Sequence, residues 1–191
     1  MRAEICICAE IDACRAELPP IRTRVLILMH HRERDLTTNT GRLAELSLPN
    51  CEVRLRGERD TRLNEEGLRE GKRLLLYPSD DAKVLDAPTV AALGPGPLTL
   101  IVPDGSWRQA SKVAHREAAL HDVPRVVLAP DAPTRYRLRR EPKPDGLATF
   151  EAIARALGAL EGLPVRARLE GLFDVMVERT LRSRAGVLAK D

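Results

Sequence analysis

One polar segment of the sequence combines side chains that could bind or activate a small ligand. Residues 103–110 read Pro-Asp-Gly-Ser-Trp-Arg-Gln-Ala and directly follow an apolar run. Asp104 supplies a carboxylate, Gly105 permits a tight turn, and Ser106 can cap a following helix. Trp107 is the only tryptophan of the chain. A carboxylate beside an aromatic ring and a helix N-terminus suits a cationic or planar ligand; a plain helix cap with a core tryptophan is the alternative.

Two further polar segments also follow apolar runs. His30 and His31 come directly after residues 25–29, and Asn-Thr-Gly-Arg follows at residues 39–42. A Tyr-Pro pair at residues 77–78 ends a third apolar run. Ligands of parallel sheets bind beyond the carboxyl ends of the strands, so the three segments are expected at one edge. Both histidines are candidates for substrate contact, with structural hydrogen bonds as the alternative.

Basic residues are clustered, although the formal net charge is only +3. Residues 134–143 read Thr-Arg-Tyr-Arg-Leu-Arg-Arg-Glu-Pro-Lys, a segment with five basic groups and one acid. A second cluster surrounds the apolar run at 25–29 and consists of Arg22, Arg24, Arg32, Arg34 and Arg42. Such clusters suit a polyanion, because each neutralised phosphate releases counterions. A solvated charged face is the alternative.

Three of the four cysteines, Cys6, Cys8 and Cys14, lie near the start of the sequence. A Cys-x-Cys pair followed by a third cysteine is a fragment of a zinc site, which needs four ligands when it is structural. Cys51 is a candidate fourth ligand from a separate segment. Free thiols in a partly buried N-terminal turn are the alternative.

The surrounding pattern predicts an α/β fold with a mostly parallel sheet and flanking helices, because apolar runs alternate with helical periodicity. Strands are expected at residues 25–29, 52–55, 74–77, 98–102 and 126–128, and helices at 106–120, 147–160 and 165–181. Another helix should begin near residues 38–40, capped by Asn39 or Thr40, with Leu43, Ala44 and Leu46 turned inward. The charged stretch at 56–70 is expected to be exposed.

The sequence excludes several common classes of protein. Its 191 residues suit one compact domain, and 43% hydrophobic with 31% charged residues is typical of a globular chain. The apolar runs are too short to span a bilayer, and the N-terminus lacks the apolar segment of a signal peptide. A cytoplasmic location is therefore expected. Glycine-rich phosphate-binding loops of the dinucleotide and Walker types are absent from the sequence.

The segment Ile-Val-Pro-Asp-Gly-Ser-Trp-Arg-Gln-Ala-Ser-Lys at residues 101–112 resembles the Asp-x-Thr/Ser-Trp signature of the DTW-domain family. The resemblance extends over nearly the whole chain, and several ordered blocks are more specific than one tetrapeptide. The other blocks are Cys-x-Cys at 6–8, Thr-Arg at 23–24 through His30, Thr-Asn-Thr-Gly-Arg at 38–42, Leu-Tyr-Pro at 76–78, Tyr-Arg-Leu-Arg at 136–139, and Leu-Ala-Thr-Phe-Glu-Ala at 147–152.

This resemblance implies a SPOUT-like fold whose C-terminal half forms a trefoil knot around S-adenosylmethionine. Residues 1–20 would be a cysteine-containing N-terminal element, with Cys6, Cys8 and Cys14 as an incomplete zinc set. Residues 21–191 would be the catalytic domain. The implied reaction transfers the 3-amino-3-carboxypropyl group of S-adenosylmethionine to N3 of a tRNA uridine and releases methylthioadenosine.

The resemblance also implies roles for individual residues. Asp104 is the candidate base for the N3 proton, or alternatively the ligand of the methionine ammonium group. Arg139 or Arg42 would bind the methionine carboxylate. The candidate S-adenosylmethionine-binding residues are Asn39, Thr40, Tyr77, Pro78, Ser106, Trp107, Leu138, Arg139 and Thr149. The candidate tRNA-binding residues are Arg22, Arg42, Lys112, Arg135 and Arg137.

Two other functions remain open from the sequence. A methyltransferase of the same fold group would use the same cofactor and an RNA target, but it would release S-adenosylhomocysteine. A non-catalytic RNA-binding module would bind RNA without forming a product. Arg135, Arg137 and Arg139 alternate along the sequence, so a strand would place all three on one face, where the surplus charge would suit phosphate contacts.

Overall fold

A computed structural model describes residues 5–58, 66, 68, 70–138 and 146–186. Within them, six strands form one sheet in which every neighbouring pair is parallel. The strands are β1 (Arg24–His30), β2 (Cys51–Arg56), β3 (Lys72–Leu76), β4 (Lys83–Val84), β5 (Leu98–Asp104) and β6 (Arg125–Val127). Their order is β2-β1-β5-β3-β6-β4, so β1, β5 and β3 lie side by side in the middle. This confirms the predicted α/β fold with a mostly parallel sheet.

The helices differ in which face of the sheet they cover. They are α1 (Cys8–Glu17), α2 (Gly41–Ser47), α3 (Ala87–Leu93), α4 (Trp107–Arg116), α5 (Thr149–Glu161) and α6 (Leu163–Arg184). Successive residues of a strand point to opposite faces, and β1 shows the division: Val25 and Ile27 pack in the core cluster of α1, α2, α5 and α6, whereas Leu26 packs in a second cluster with Val113 of α4. The described part of α4 is therefore on the opposite side of the sheet from α5 and α6.

Two local expectations about burial are wrong. Leu46 is 46% exposed, because the buried face of the short helix α2 carries Leu43, Ala44 and Ser47 at helical spacing. Leu68, in the stretch predicted to be exposed, is only 2% exposed and belongs to the core cluster beneath α4. Arg135 and Arg137 lie in irregular backbone, so no strand places these two side chains on one face.

Candidate active site at the carboxyl edge of the sheet

The ends of three central strands bring the predicted polar segments to one edge. β1 ends at His30 and β5 at Asp104, and Met29 pairs with Asp104 in the parallel register. Tyr77 follows the neighbouring strand β3. A Cβ atom at Gly105 would lie 3.4 Å from Cβ of His30, so the residues after β1 and β5 are in close contact. The expected clustering at the carboxyl edge is confirmed for these segments.

Asp104 is the centre of this arrangement. Its side chain is 4% exposed although it carries a carboxylate. The Asn39 amide donates a hydrogen bond to Oδ2 at 2.6 Å, and the Thr149 hydroxyl donates to Oδ1 at 2.5 Å. These donors are 65 and 45 residues away in the chain. One buried carboxylate therefore joins the end of β5, the segment before α2 and the first turn of α5.

The segment before α2 is held against α5 by further contacts. The Thr40 hydroxyl accepts a hydrogen bond from the backbone N–H of Phe150 at 3.2 Å. The buried Tyr136 hydroxyl donates to the carbonyl of Thr38 at 2.6 Å. Asn39, and not Thr40, caps the helix, since its Oδ1 accepts from the backbone N–H of Arg42 at 3.2 Å. Asn39 and the turn that carries Thr149 are therefore also held in place by hydrogen bonds to residues other than Asp104.

Gly41 is a required part of this site that sequence reasoning did not select. A Cβ atom there would lie 2.8 Å from Oδ2 of Asp104 and 3.3 Å from Cε of Met29. The backbone of α2 can approach the carboxylate this closely only because position 41 has no side chain. Its place in the Thr-Asn-Thr-Gly-Arg block was the available signal.

Glu151 is a second residue that was missed. It is 3% exposed and accepts hydrogen bonds from the backbone N–H groups of Arg135 at 2.7 Å and Ala148 at 3.2 Å, and from the Thr134 hydroxyl. A glutamate at the third position of a helix that bonds back to the residue before the helix is half of a capping box. That spacing was the signal. Glu151 connects the loop at 134–135 to the turn that carries Thr149.

The start of α4 is built as expected. The backbone N–H of Ser106 donates to Oε1 of Gln109 at 2.7 Å, and the Ser106 hydroxyl caps the helix. Gly105 has φ of 151°, and a Cβ atom there would lie 2.9 Å from Oε1 of Gln109. The predicted turn and cap are confirmed, whereas cofactor contact by Ser106 stays a prediction.

His30 faces a group of cations on the α4 side of the sheet. Burial lowers its pKa first, and the neighbouring His31, Arg56, Arg32 and Lys112 lower it further. Its Nδ1 accepts from the backbone N–H of Arg32 at 3.2 Å, which leaves Nε2 as the protonated nitrogen of the neutral ring. The structural hydrogen bond proposed as the alternative role is therefore present, and substrate contact stays a prediction.

Among the described residues, the other candidate cofactor-binding residues form no side-chain hydrogen bond with Asp104. Tyr77 packs against the core cluster of α4 and meets His115 edge to face, with ring centroids 6.3 Å apart. Pro78 is exposed, Trp107 is half-buried in the first turn of α4, and Leu138 is 6% exposed. Arg139 lies outside the described residues.

The candidate RNA-binding residues are spread over the molecule. Arg22 precedes β1 and so lies at the amino edge, roughly 20 Å from the carboxyl edge at about 3.3 Å per residue. Arg42 is exposed on α2, and Lys112 on α4. Arg135 forms ion pairs with Asp174 at 2.7 Å and Glu170 at 3.6 Å. An open cavity of about 320 Å³ lies between the 134–138 loop and α6, and it is lined by Arg135, Arg137, Asp174, Val177 and Glu178.

The three predicted zinc ligands are not brought together. The thiols of Cys6 and Cys8 are 3.1 Å apart, but Cys14 is turned with Ile11 into the core beside α6. Across the described residues, no three His, Cys, Asp or Glu side chains are grouped to hold a metal ion. Cys51 lies in β2, where burial raises the pKa of its thiol to about 12.

Comparison with known proteins agrees with the arrangement of the sequence blocks. The DTW domain matches residues 1–181. The chain belongs to the DTW-domain family. Within the described residues of this DTW-domain chain, no helix has the length and apolar character needed to cross a membrane.

Curated relatives of the DTW-domain chain carry one shared name. This chain is 32% identical over 154 residues to tRNA-uridine aminocarboxypropyltransferase 2 of Drosophila melanogaster. The alignment covers 76% of this chain and 60% of that protein. The chain is 29% identical over 169 residues to the protein of the same name from Macaca fascicularis, covering 83% of this chain and 53% of the relative. The chain therefore spans less than two thirds of the length of these relatives.

One solved structure shares the fold. It is described as the SAM-dependent rRNA:acp-transferase Tsr3 from Vulcanisaeta distributa, with a TM-score of 0.51 and 19% sequence identity over 88% of this chain and 82% of that chain. The likeness supports the SPOUT-like architecture expected of a DTW-domain chain. The trefoil knot stays a prediction.

Proposed function

We propose that this chain transfers the 3-amino-3-carboxypropyl group of S-adenosylmethionine to N3 of a tRNA uridine. One observation carries the proposal: three sequence blocks of the family meet at a single buried carboxylate. Asp104 of the signature accepts hydrogen bonds from Asn39 and from Thr149, which belong to two other blocks. The shared name of the curated relatives supports the same reaction and substrate.

The proposed reaction is a displacement at the methionine Cγ of S-adenosylmethionine. Uridine N3 forms the new C–N bond, and the Cγ–S bond breaks so that methylthioadenosine leaves with its electron pair. The N3 proton passes to a base. The enzyme must align Cγ, and not the methyl carbon, with N3, so the chemistry depends on how rigidly the pocket is held.

The residues at the carboxyl edge fit S-adenosylmethionine, which carries a positive sulfonium and ammonium group. Asp104 is a negative group there, Asn39 and Thr149 are polar, and Tyr77 supplies an aromatic ring for an adenosine. Each oxygen of Asp104 accepts one hydrogen bond and retains one further lone-pair site. Its burial and its two partners favour a role in positioning the pocket over that of base, which remains the alternative.

A tRNA substrate agrees with the clustering of basic residues in the sequence. Arg42, Lys112 and Arg137 are exposed and suit contacts with phosphate. Arg135 suits it less, because acidic residues of α6 already neutralise it. Modification of tRNA would take place in the cytoplasm.

The experiment that tests the proposal incubates the protein with S-adenosylmethionine and unmodified tRNA and then analyses digested nucleosides by mass spectrometry. The expected product is a uridine carrying the aminocarboxypropyl group, with methylthioadenosine in solution. A methylated nucleoside with S-adenosylhomocysteine would replace the proposal with a methyltransferase. Binding of tRNA without any product, over a panel of unmodified tRNAs, would replace it with a non-catalytic RNA-binding module.

A further inference from the structure

The exposed face of α4 carries a row of cations that have no acidic partners among the described residues. Its sequence, Trp-Arg-Gln-Ala-Ser-Lys-Val-Ala-His-Arg, contains no aspartate or glutamate. Arg108, Lys112 and Arg116 are spaced four residues apart, so they share one side of the helix, and all three are exposed. Among the described residues none of these three side chains forms an ion pair or side-chain hydrogen bond. Ala110 and Val113 occupy the opposite, buried side.

Most other arginines of the described residues form ion pairs with acidic side chains. Arg135 is paired with Asp174, Arg166 with Glu170, and Arg179 with Glu10. Glu117, the first residue after α4, is itself engaged by Arg56, with the Arg56 Nε atom 2.9 Å from Oε1. Glu117 therefore pairs with Arg56 of β2, and among the described residues no acid pairs with the cations of α4.

Helix stability does not explain the row. Cations favour the last turn of a helix, where they face its negative end, and Arg116 fits that rule. Arg108 lies in the first turn, where the macrodipole is positive and an acid would be favourable. The helix therefore carries a cation where its own electrostatics disfavour one, which points to an external anion.

The row begins at the candidate active site. α4 starts three residues after Asp104 and is joined to β5 through Gly105. His30 lies against Gly105, its ring centroid is 4.7 Å from that of His31, and the exposed Arg32 follows. A positive surface therefore runs from Arg32 at the carboxyl edge along the exposed face of α4. Among the described helices, α4 is the one that covers this side of the sheet.

We infer that the exposed face of α4, formed by Arg108, Lys112 and Arg116, binds the sugar-phosphate backbone of the tRNA next to the target uridine. This inference rests on the proposed function. Neighbouring phosphates of one RNA strand lie about 6 Å apart, which is close to the rise of one helical turn, so an RNA strand can follow the row. Charge without acidic partners favours this polyanion over an acidic protein surface, which would require specific pairing.

The test compares two matched double variants in a tRNA-binding assay over a range of salt concentrations. Arg108→Gln/Lys112→Gln removes two cations of the row, and Lys83→Gln/Arg182→Gln removes two exposed cations from β4 and α6. The α4 variant should weaken binding on the order of tenfold or more at 0.1 M salt and reduce the salt slope by about 2. The control variant should match the wild type, and binding of S-adenosylmethionine should be unchanged in both.

Product formation separates this inference from the proposed function. If the wild type forms the modified uridine and the α4 variant keeps the slope of the control, the surface is wrong and the reaction stands. If the α4 variant alone flattens the slope and the wild type forms no product, the surface is right and the reaction is wrong. A raised KM for tRNA with kcat retained in the α4 variant would support both.

Discussion

Asp104 links segments that are far apart in the sequence, so its replacement should affect both stability and chemistry. Asp104→Ala leaves the half-buried Asn39 amide and Thr149 hydroxyl without their acceptor, and we expect a loss of about 2–4 kcal/mol in the free energy of unfolding. Asp104→Asn retains one acceptor oxygen and should lose less. Urea unfolding of both variants measures this difference, and equal stability of Asp104→Ala and the wild type would contradict the buried linkage.

The same variants distinguish the two roles of Asp104 in the proposed reaction. If Asp104 is a positioning residue, Asp104→Asn should lower both the affinity for S-adenosylmethionine and the reaction rate. A base should lose the rate and keep the affinity. Isothermal titration of the folded Asp104→Asn variant, paired with the nucleoside assay, measures both quantities; undiminished affinity would argue against the positioning role.

The cysteines should differ in reactivity, because the thiolate is the reactive form. A hydrogen bond with Cys8 lowers the pKa of Cys6, whereas burial, with Glu45 and Glu52 nearby, raises the pKa of Cys51 to about 12. At pH 7.5 the Cys51 thiolate is scarce, and raising the pH toward 9 should speed alkylation of Cys6 first. Peptide mass spectrometry after brief iodoacetamide treatment of the native protein checks the order. Faster labelling of Cys51 would contradict its burial.

Helix α2 depends on a close backbone approach, which a pair of glycine substitutions can test. Gly41→Ala would place Cβ 2.8 Å from Oδ2 of Asp104, and we expect it to lower the free energy of unfolding by roughly 1–3 kcal/mol. Gly171→Ala in α6 is the control, since a Cβ atom there has no neighbour within 4 Å. That change should stabilise the protein by about 0.5–1 kcal/mol. Chemical denaturation measures both, and opposite signs are expected.

Elements also differ in how far local sequence predicted them. β1 and β5 were evident because both faces are covered and their central residues, 25–29 and 100–102, are continuously apolar. α4 was evident from Ser106 as a helix cap and from the helical pattern that follows it. α1 and α3 were not predicted: α1 buries only Ile11 and Cys14, and α3 buries no residue fully, so neither has a strong periodic pattern.

At the scale of the whole molecule, the two arginines of the 134–138 loop should contribute differently to RNA binding. Asp174 and Glu170 of α6 neutralise Arg135, whereas Arg137 is exposed. Arg137→Gln should weaken tRNA binding and reduce the salt slope by about 1, and Arg135→Gln should leave the slope nearly unchanged. Filter binding at several salt concentrations measures the slopes. A larger effect of Arg135→Gln than of Arg137→Gln would show that the ion pairs of Arg135 with α6 are broken when tRNA is bound.

The sequence by itself determined the family, the parallel sheet and the edge at which the polar segments gather. These properties follow from local patterns: apolar runs bounded by turns, a capping serine, and short motifs in a fixed order. Asp104, Asn39 and Thr149 were all selected from such motifs. That Asn39 and Thr149 bond to the same carboxylate was not predictable, because the contacts span 65 and 45 residues.

Only the tertiary structure decided which polar groups are available to a ligand. Arg135 and Arg137 look equivalent in the sequence, but of these two, among the described residues, only Arg135 forms ion pairs with acids of α6. The sequence of α4 alone did not distinguish its cations from those of other helices. The fold shows that they lie beside the carboxyl edge and have no acidic partners among the described residues. The physical reason is that pairing and burial depend on which distant elements pack together, whereas secondary structure depends mainly on neighbours in the chain.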